Sequence, residues 1–273
     1  STITLSKFSV RLAEEDRSVN GHGLQVFGSI TKDPVASGAD LVAYSGFSSS
    51  NYLQQPYNSD LDFGTGDFCI MGWAKGLASG DFLLSRMAAD DSGTGFFLFI
   101  ANGIEFYTRS GGSNSKKAQT GSFSQSSQWR QFCAVRESGT LKLYIDAGLK
   151  ASTAFSTDLD NAAAILRIGE GVYSSNAVNG SLALWRISAT APTPEQIAKI
   201  YNDEKHLFQE NAQATLYGTS DAVTALAHDD STDLLHVGTS AGRSVFQGLR
   251  RVENTTDAVG ATISASNGLV AED

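Results

Sequence analysis

Short apolar runs alternate with Gly- and Ser-rich breaks between residues 60 and 205, a pattern typical of a protein made of β-strands. The run 68–73 is apolar on both faces, which predicts a strand at the centre of a sheet that is covered on each side. Leu141, Leu143 and Ile145 alternate with two outward positions, which predicts a strand with one buried face. Six further runs complete the set: 82–85, 96–100, 104–108, 129–136, 165–168 and 182–187.

Turn residues indicate two hairpins. Asn102-Gly103 separates two apolar runs and favours a type I′ turn, because both central residues of that turn need positive φ. The segment 137–140 separates two more strand-like runs in the same way. The segment 109–128 is rich in Gly and Ser and has no apolar period, so we predict a loop there.

One helix is predicted after the last strand of this series, an order that few all-β folds share. Thr193 can cap the helix, Pro194 suits its first position, and Gln196 stands three residues after the cap, as in a capping box. An apolar stripe at helical spacing follows: Ile197, Ile200 and Tyr201, continued by Leu207 and Phe208. We predict a short helix that packs on the edge of the β domain.

Three regions are predicted along the chain. Residues 1–24 are polar and carry the charge run 14–17, so we expect an arm that docks on another protein or joins the edge of the main domain. Residues 25–208 form the main β domain. Residues 209–273 form a C-terminal β module, with strands at 222–228, 233–238 and 243–249 and a small, polar tail at 258–273.

The C-terminal module resembles a single propeller blade, since its strands are joined by tight polar turns. One blade cannot bury both of its faces alone, and no second copy occurs in the sequence. We therefore expect this module to pack on the main domain or to join subunits, most plausibly as a homotrimer.

The composition and charge of the chain limit the classes of partner that we expect. The 273 residues include 20 Lys plus Arg and 29 Asp plus Glu, for a net charge of −9, so nucleic acid is not an expected partner. No apolar run approaches the roughly 18 residues of a membrane span, and the first residues lack a signal-peptide core. We expect no membrane insertion and a soluble protein that is not routed through a secretory signal.

The two cysteines, Cys69 and Cys133, each lie inside a strand-like run. Two buried thiols in a protein folded in the cytosol is the simplest interpretation, and a disulfide stays open if the two strands are neighbours. Neither a Cys-x-x-Cys motif nor a Cys/His cluster supports a zinc site.

The chain resembles a concanavalin A-like lectin/glucanase domain of the laminin-G-like type over residues 58–205. The segments that carry the resemblance are, in order, 61–73 with Asp67-Phe68-Cys69-Ile70-Met71-Gly72-Trp73, Trp129-Arg130-Gln131-Phe132-Cys133-Ala134-Val135, Leu143-Tyr144-Ile145-Asp146-Ala147-Gly148, Asn179-Gly180-Ser181-Leu182-Ala183-Leu184-Trp185-Arg186-Ile187 and the helix at 194–201. The resemblance implies an all-β fold, a two-sheet antiparallel jelly-roll sandwich with one short C-terminal helix, to which a small β-meander is added. It also implies rim loops that hold a ligand.

A second resemblance, to tail-associated structural proteins of bacteriophages, rests on the overall layout. The region 44–47, ahead of the segments just named, and the turn region 237–242 carry it.

Enzymatic chemistry is not indicated. Hydrolases of the resembled fold carry a Glu-x-Asp-x-x-Glu strand, and a glycosidase needs two carboxylates at a fixed separation. That spacing does not occur, and Glu105, Glu137 and Glu170 stand isolated in the sequence. No Gly-x-Ser-x-Gly motif accompanies the four histidines, of which His228 and His236 are expected to face each other across a hairpin.

Calcium is the metal that the resemblance implies, held at the rim of the sandwich by Asp side chains and backbone carbonyls. The acid that the family usually carries near Ala183-Leu184 is absent here. We expect no required cofactor and leave calcium open, with Asp60, Asp62, Asp90 and Asp91 as candidate ligands.

Glycan binding needs a flat apolar surface and planar hydrogen-bonding groups. The predicted rim loops 86–95, 107–128 and 170–179 carry both kinds of side chain. The candidate ligand-binding residues are Tyr107, Arg109, Asn114, Tyr173 and Asn176.

The hypothesis that follows is a non-enzymatic virion structural protein, part of a phage tail fibre, tail tip or other surface appendage and assembled in the host cytoplasm. Its lectin-like domain would recognise a host cell-surface glycan, and its partners would be two further copies of itself and other virion proteins. Two alternatives stay open: a glycan-cleaving enzyme of the same fold, and a decoration protein that uses the fold only for protein contacts.

Overall fold

The structure is a computed structural model that describes Ala13–Glu14 and residues 21–122, 127–220 and 222–273. These residues form two compact units, one made of the described residues up to Lys32 with Tyr44–Pro192, the other of Asp33–Ala43 with Thr193–Asp273. The predicted boundaries after residues 24 and 208 stay predictions. None of the helices in the described ranges is long and apolar enough to span a bilayer.

Two large sheets are built mainly from residues of the first unit, and we number the strands in chain order. The eight-stranded sheet has the order β1 (Ala13–Glu14), β2 (Leu24–Phe27), β5 (Tyr52–Gln55), β14 (Ala164–Ile168), β7 (Phe82–Ala88), β8 (Thr94–Ile100), β9 (Ile104–Ser110), β10 (Ser113–Gln119). The seven-stranded sheet has the order β13 (Gly148–Ala154), β12 (Thr140–Ile145), β11 (Arg130–Glu137), β6 (Phe68–Lys75), β17 (Ser181–Ser188), β4 (Val42–Ser45), β3 (Thr31–Pro34). A small hairpin is formed by β15 (Glu170–Gly171) and β16 (Ser174–Ala177).

The predicted antiparallel two-sheet sandwich is confirmed. Its core lies between the sheets, where Phe68 and Ile70 of β6 and Phe106 of β9 are completely buried. Each such side chain contributes about 1.5–3 kcal/mol of transfer free energy. Cys69 and Met71, on the other face of β6, are buried too, so this strand is covered on both sides, as predicted.

Trp185 of β17 explains why β6 carries a glycine. The indole ring lies directly over Gly72 and leaves no room for a side chain there. The indole Nε1 donates a hydrogen bond to the carbonyl of Trp73 at 3.2 Å. Two sequence segments that are far apart in the chain, those around residues 72 and 185, therefore form one packing unit.

The first predicted hairpin is present, but the predicted type I′ turn is wrong. Ile100 and Ile104 are the last paired residues, so the connection between β8 and β9 has three residues rather than two. Of these three, only Gly103 has positive φ, at 142°. The second hairpin, between β11 and β12, does have positive φ at both central residues, Ser138 and Gly139.

The predicted loop at 109–128 is wrong in its first half, because Ser113–Gln119 form strand β10. This strand lies at the edge of the sheet and pairs only with β9. Its first four residues are exposed and only Ala118 is buried, so no apolar alternation marks it in the sequence. The residues 123–126 lie outside the described part of the chain.

The N-terminal arm is described only at β1. Ala13 and Glu14 pair with Gln25 and Leu24 of β2, which places this strand at the edge of the eight-stranded sheet. The remaining residues of the predicted arm up to 20 lie outside the described residues.

In the second unit, the predicted helix is confirmed as α1 (Pro194–Glu204). Its capping box is complete: the amide of Gln196 donates to Thr193 Oγ1 at 3.3 Å, and Gln196 Oε1 accepts from the amide of Thr193 at 2.9 Å. Ile197 is completely buried, as its place in the apolar stripe predicts.

The C-terminal strands form a four-stranded sheet and a separate hairpin. The sheet comprises β18 (Val223–Asp229), β19 (Leu234–Thr239), β20 (Gly242–Gln247) and β21 (Arg250–Asn254), and the hairpin β22 (Ile263–Ser266) and β23 (Leu269–Glu272). The sequence predicted only the first three strands, because β21 is charged and the tail is polar. Val259 and Ile263 pack on Ala225 and cover one face of the sheet from within the same unit.

Two expectations about reactive side chains have clear outcomes. His228 and His236 do not face each other: His228 pairs with Leu235 and His236 with Ala227, so their side chains point to opposite faces of the sheet. Cys69 and Cys133 lie on neighbouring strands with their sulfurs 3.7 Å apart, and both are free, buried thiols.

Candidate ligand-binding site

The eight-stranded sheet has an outward face that carries aromatic and charged side chains together. In β8 and β9 the inward residues Phe96, Leu98 and Phe106 belong to the core. Side chains alternate along a strand, so Phe97 and Tyr107 point to the opposite face. We call this surface, formed by the outward residues of β7, β8, β9 and β10, the outer face.

Stacked rings make the floor of the outer face. Tyr107 stacks on Phe97 of the neighbouring strand, with ring centres 4.9 Å apart and planes within 4°. Phe99 stands edge-on to Tyr107 at 6.3 Å. Phe97 is buried, while Phe99 and Tyr107 keep part of their rings exposed, so flat apolar surface is available to a ligand.

The hairpin β15–β16 places a third exposed ring on this floor. Tyr173, at the tip of the hairpin, lies 5.6 Å from the ring centres of both Phe82 and Phe97. The hydroxyl of Ser85 fixes the hairpin, since it donates to the carbonyl of Glu170 at 3.2 Å and accepts from the amide of Val172 at 3.0 Å.

Arg109 is the centre of a polar network beside these rings. Its Nε donates to Asp91 Oδ1 and its NH1 to Asn114 Oδ1, each at 2.8 Å. Its guanidinium carbon lies 3.9 Å from the centre of the Tyr173 ring. The amide nitrogen of Asn114 donates to the Tyr173 hydroxyl at 3.2 Å, which closes the network. A planar cation stacked on an aromatic ring in this way is held in one orientation.

Glu105 is a buried carboxylate at the other end of the outer face. Tyr107 donates to its Oε2 at 2.7 Å, and Lys116 Nζ lies 3.3 Å from its Oε1. Burial and then the hydrogen bond to Glu105 raise the pKa of Tyr107 to about 12. The Tyr107 hydroxyl therefore stays protonated at neutral pH.

The outer face continues across β14 and β5 with a second arginine. The guanidinium carbon of Arg167 lies 4.2 Å from the centre of the Tyr52 ring, and Nε donates to Gln54 Oε1 at 3.0 Å. Its NH1 donates to Glu170 Oε2 at 2.6 Å. Burial raises the pKa of Glu170, and Arg167 opposes that rise.

Four of the five predicted ligand-binding residues come together: Tyr107, Arg109, Asn114 and Tyr173. They were expected on rim loops, but Tyr107, Arg109 and Asn114 lie on β9 and β10, so the candidate site is a sheet face. Asn176, on β16, is exposed, and the hydrogen bond at this residue runs from its backbone amide to Ser174 Oγ.

The predicted metal ligands have other partners. Partial burial alone would raise the pKa of Asp62, but hydrogen bonds from Tyr57, the amide of Asn161 and Arg86 lower it. Asp91 accepts from Arg109. Asp60 lies 3.4 Å from His22, and Asp90 accepts from the amide of Ser92 at 3.0 Å.

This set of acids does not fit a calcium site. Ca²⁺ takes about six to eight oxygen ligands, whereas Arg86 already binds one oxygen of Asp62 and Arg109 one oxygen of Asp91. Within the described ranges, no three side chains of His, Cys, Asp or Glu are grouped as a metal ion requires.

Sequence reasoning missed Phe97, Phe99 and the role of Glu105 in the outer face. The run 96–100 is apolar at every position, so its pattern cannot tell which side faces the core. The one available signal is that both outward positions are aromatic, because a fully covered face could carry aliphatic residues equally well.

Comparison with solved structures shows the same fold in the binding domains of toxins. The binding domain of Paraclostridial Mosquitocidal Protein 1 superposes with a TM-score of 0.57 at 14% identity, covering 84% of this chain and 62% of that one. The binding domain of botulinum neurotoxin DC in complex with rat synaptotagmin II gives 0.53 at 14% identity, with 89% and 60% covered. The same domain in complex with SialylT gives 0.51 at 13% identity, with 91% and 61% covered.

These likenesses concern the fold alone, since the identities are so low, and the chain spans about three fifths of the length of these three structures. No curated protein matches the chain. A family model does match, over residues 47–198, more than half of the sequence. This chain belongs to the concanavalin A-like lectin/glucanases superfamily.

Proposed function

We propose that the protein is a non-enzymatic recognition module that binds saccharide on the outer face. The observation that carries this proposal is the network of Arg109, Asn114 and Tyr173 beside the exposed ring of Tyr107. Sugars bind where an aromatic ring meets their apolar face and planar polar groups meet their hydroxyls. The outer face offers both within a rigid sheet.

The hydrogen bonds that the two buried glutamates of the outer face accept support a non-catalytic role. A glycosidase needs one carboxyl group to give a proton and a second to act from the other side of the sugar. Both oxygens of Glu105 are engaged, one by Tyr107 and one by Lys116. Glu170 is held by Arg167. Neither group is free to approach a glycosidic bond.

The binding domains of toxins supply precedent for recognition on this fold. One of them, that of botulinum neurotoxin DC, was solved in complex with rat synaptotagmin II and in complex with SialylT. For the present chain we propose a host cell-surface glycan as the ligand, which fits the mixed aromatic and polar character of the outer face.

A glycan array tests the proposal. We expect the wild-type protein to bind at least one glycan class, and Asn114→Ala to lose that binding because Arg109 and Tyr173 are no longer held together. Asn176→Ala is the matched control, since it removes an exposed amide of the same kind from outside the network. Equal binding by both variants would contradict the assignment, and turnover of a bound polysaccharide would contradict the non-enzymatic role.

We propose a virion surface appendage, such as a phage tail fibre or tail tip, as the biological setting, with other virion proteins as partners. In this setting the C-terminal sheet joins copies of the chain, most plausibly as a homotrimer. The support is a row of exposed apolar side chains on one face of β18 and β19: Val223, Leu226 and Leu235.

Sedimentation velocity tests the oligomer. Leu226 is 60% exposed, so Leu226→Asp leaves the fold of the sheet intact and is expected to convert trimers to monomers. Leu149→Asp, at a similarly exposed leucine of the first unit, is the control. A monomeric wild-type protein at micromolar concentration would overturn this part of the proposal.

A further inference from the structure

We propose that the saccharide bound by the outer face is neutral, and that three internal ion pairs discriminate against anionic glycans. This inference rests on the proposed function and specifies its ligand class. The three pairs are Arg109 with Asp91, Lys116 with Glu105 and Arg167 with Glu170.

Arg109 is the cation nearest to the exposed rings, and its charge is already matched. Its side chain is 15% exposed and that of Asp91 is 25% exposed, so the pair is largely shielded from water. An incoming carboxylate or sulfate finds Nε engaged by Asp91 and NH1 by Asn114, so a bidentate contact along that edge of the guanidinium requires it to displace one of them. Either exchange gives up a charge-assisted or polar hydrogen bond that the fold already holds in place, so the net gain in binding free energy is small.

Lys116 and Glu105 form a second ion pair at the other end of the outer face. Glu105 is almost fully buried, with 4% of its side chain exposed, whereas Lys116 is 42% exposed. The Tyr107 hydroxyl also donates to Glu105, which holds the carboxylate in place. An anion that approaches Lys116 therefore meets the negative charge of Glu105 directly behind it.

Arg167 and Glu170 complete the set. Their side chains are 17% and 5% exposed, and the second nitrogen of Arg167, Nε, is satisfied by Gln54. The surface around Arg167 is therefore formed by the Tyr52 ring and the Gln54 amide rather than by an open cation.

The net result is a face that carries three cations with three matching anions. The whole chain adds a net charge of −9, so the long-range potential repels anionic ligands rather than attracting them. Neutral sugars require no displacement of these carboxylates, because their hydroxyls and apolar faces bind to the rings and amides that remain exposed.

Matched pairs of ligands provide the test. Isothermal titration of the full-length protein with lactose and with sialyllactose, and with methyl-esterified polygalacturonate and its de-esterified form, compares glycans without and with a carboxylate. We expect binding of a neutral member and binding of its anionic counterpart that is weaker by roughly tenfold at low ionic strength. The difference should shrink as salt is added, because salt screens the repulsion.

Asp91→Asn makes the test specific to the ion pair. The substitution keeps the size of the side chain and an acceptor oxygen for Arg109 but frees the charge of the guanidinium. We expect it to raise the affinity for the anionic glycan, relative to the affinity for the neutral glycan, by roughly tenfold. Asp90→Asn is the matched control, because it also removes one negative charge but accepts from the amide of Ser92 rather than from a cation.

The outcomes separate this inference from the proposed function. If the wild-type protein prefers the anionic glycan and Tyr107→Ala abolishes that binding, the outer face is a saccharide site and the neutral ligand class is overturned. Equal gains for Asp91→Asn and Asp90→Asn would also overturn the role of the ion pair. If neither class of glycan binds, the proposed function itself fails.

Discussion

The guanidinium carbon of Arg109 lies 3.9 Å from the centre of the Tyr173 ring, although the two residues are far apart in the sequence. Arg109 belongs to strand β9, and Tyr173 to the tip of a small hairpin that Ser85 holds against the sheet. Asn114 joins both residues. The hairpin and the sheet therefore form one continuous surface, and under the proposed function changes in either should alter binding.

Tyr173 offers a way to separate ring stacking from hydrogen bonding. Tyr173→Ala removes the ring under Arg109, and we expect glycan affinity to fall by roughly fivefold or more, because the stacked pair is worth about 1 kcal/mol or above. Tyr173→Phe keeps the ring and loses only the hydrogen bond from Asn114, so its effect should be smaller. Titration calorimetry of both variants measures the difference. A larger loss for Tyr173→Phe would refute the stacking role.

Gly103 is expected to be essential for the stability of the β8–β9 hairpin. Its φ is 142°, and an added Cβ would lie 2.6 Å from Thr120 Oγ1 and 2.7 Å from the carbonyl of Gly121. Thr120 is itself fixed by the amide of Ile104. Gly103→Ala should lower the free energy of unfolding by about 1–3 kcal/mol.

Gly121→Ala serves as the control for that experiment. No atom of the described residues lies within 4 Å of an added Cβ at Gly121, and its φ is not positive. Urea denaturation followed by circular dichroism compares the two variants. The same loss of stability at both positions would show that the close approach to Thr120 is not the cause.

Asp229 is expected to make the C-terminal unit sensitive to acid. Its carboxylate accepts from the amides of Ser231, Asn267 and Gly268, which joins the turns of two separate hairpins. Hydrogen bonds, first from the Ser231 side chain and then from Gly268, hold the pKa of Asp229 well below its usual range.

The sign of the effect follows from that shift. A carboxyl group whose pKa is lower in the folded protein stabilises the fold above its unfolded pKa of about 4, and this stabilisation is lost as the pH falls below that value. The melting temperature should therefore drop on acidification, and Asp229→Asn should weaken this drop while lowering the melting temperature at pH 7. Asp257→Asn, at an exposed acid, is the control. Identical acid profiles for the wild type and Asp229→Asn would contradict the prediction.

The paired thiols are expected to be unreactive in the folded protein. Cys69 and Cys133 are each 4% exposed, and the hydrogen bond between them together with burial raises the pKa of Cys133. Thiolate is the reactive form, so a thiol reagent such as Ellman's reagent should label neither cysteine natively and both after unfolding. Rapid native labelling at pH 7 would show that these strands open readily.

Much of the fold was predictable because local chemistry and tertiary structure agree there. The capping box of Thr193 and Gln196 determines where α1 begins, and the alternation of Leu141, Leu143 and Ile145 determines which face of β12 is buried. Strands β10 and β21 were missed for one reason. Both lie at sheet edges, where exposed polar side chains are tolerated and no apolar period is required.

The candidate site was predictable in its residue types but not in its geometry. Tyr107, Arg109, Asn114 and Tyr173 were identified as a mixture of aromatic and polar residues suited to sugars. Their placement on a sheet face depends on the pairing of β9 with β10 and on the packing of a distant hairpin, which no local pattern encodes. The same long-range packing makes Asp91 a hydrogen-bond acceptor for Arg109 rather than a metal ligand.

A crystal structure of the protein with a bound oligosaccharide tests the central claim most directly. The account predicts a sugar ring stacked over Tyr107 or Phe99, with hydroxyls near Asn114 and the Tyr173 hydroxyl and with the Arg109–Asp91 pair unbroken. A sugar held instead by the loop at 89–93 or elsewhere on the molecule, with the outer face unoccupied, would contradict it.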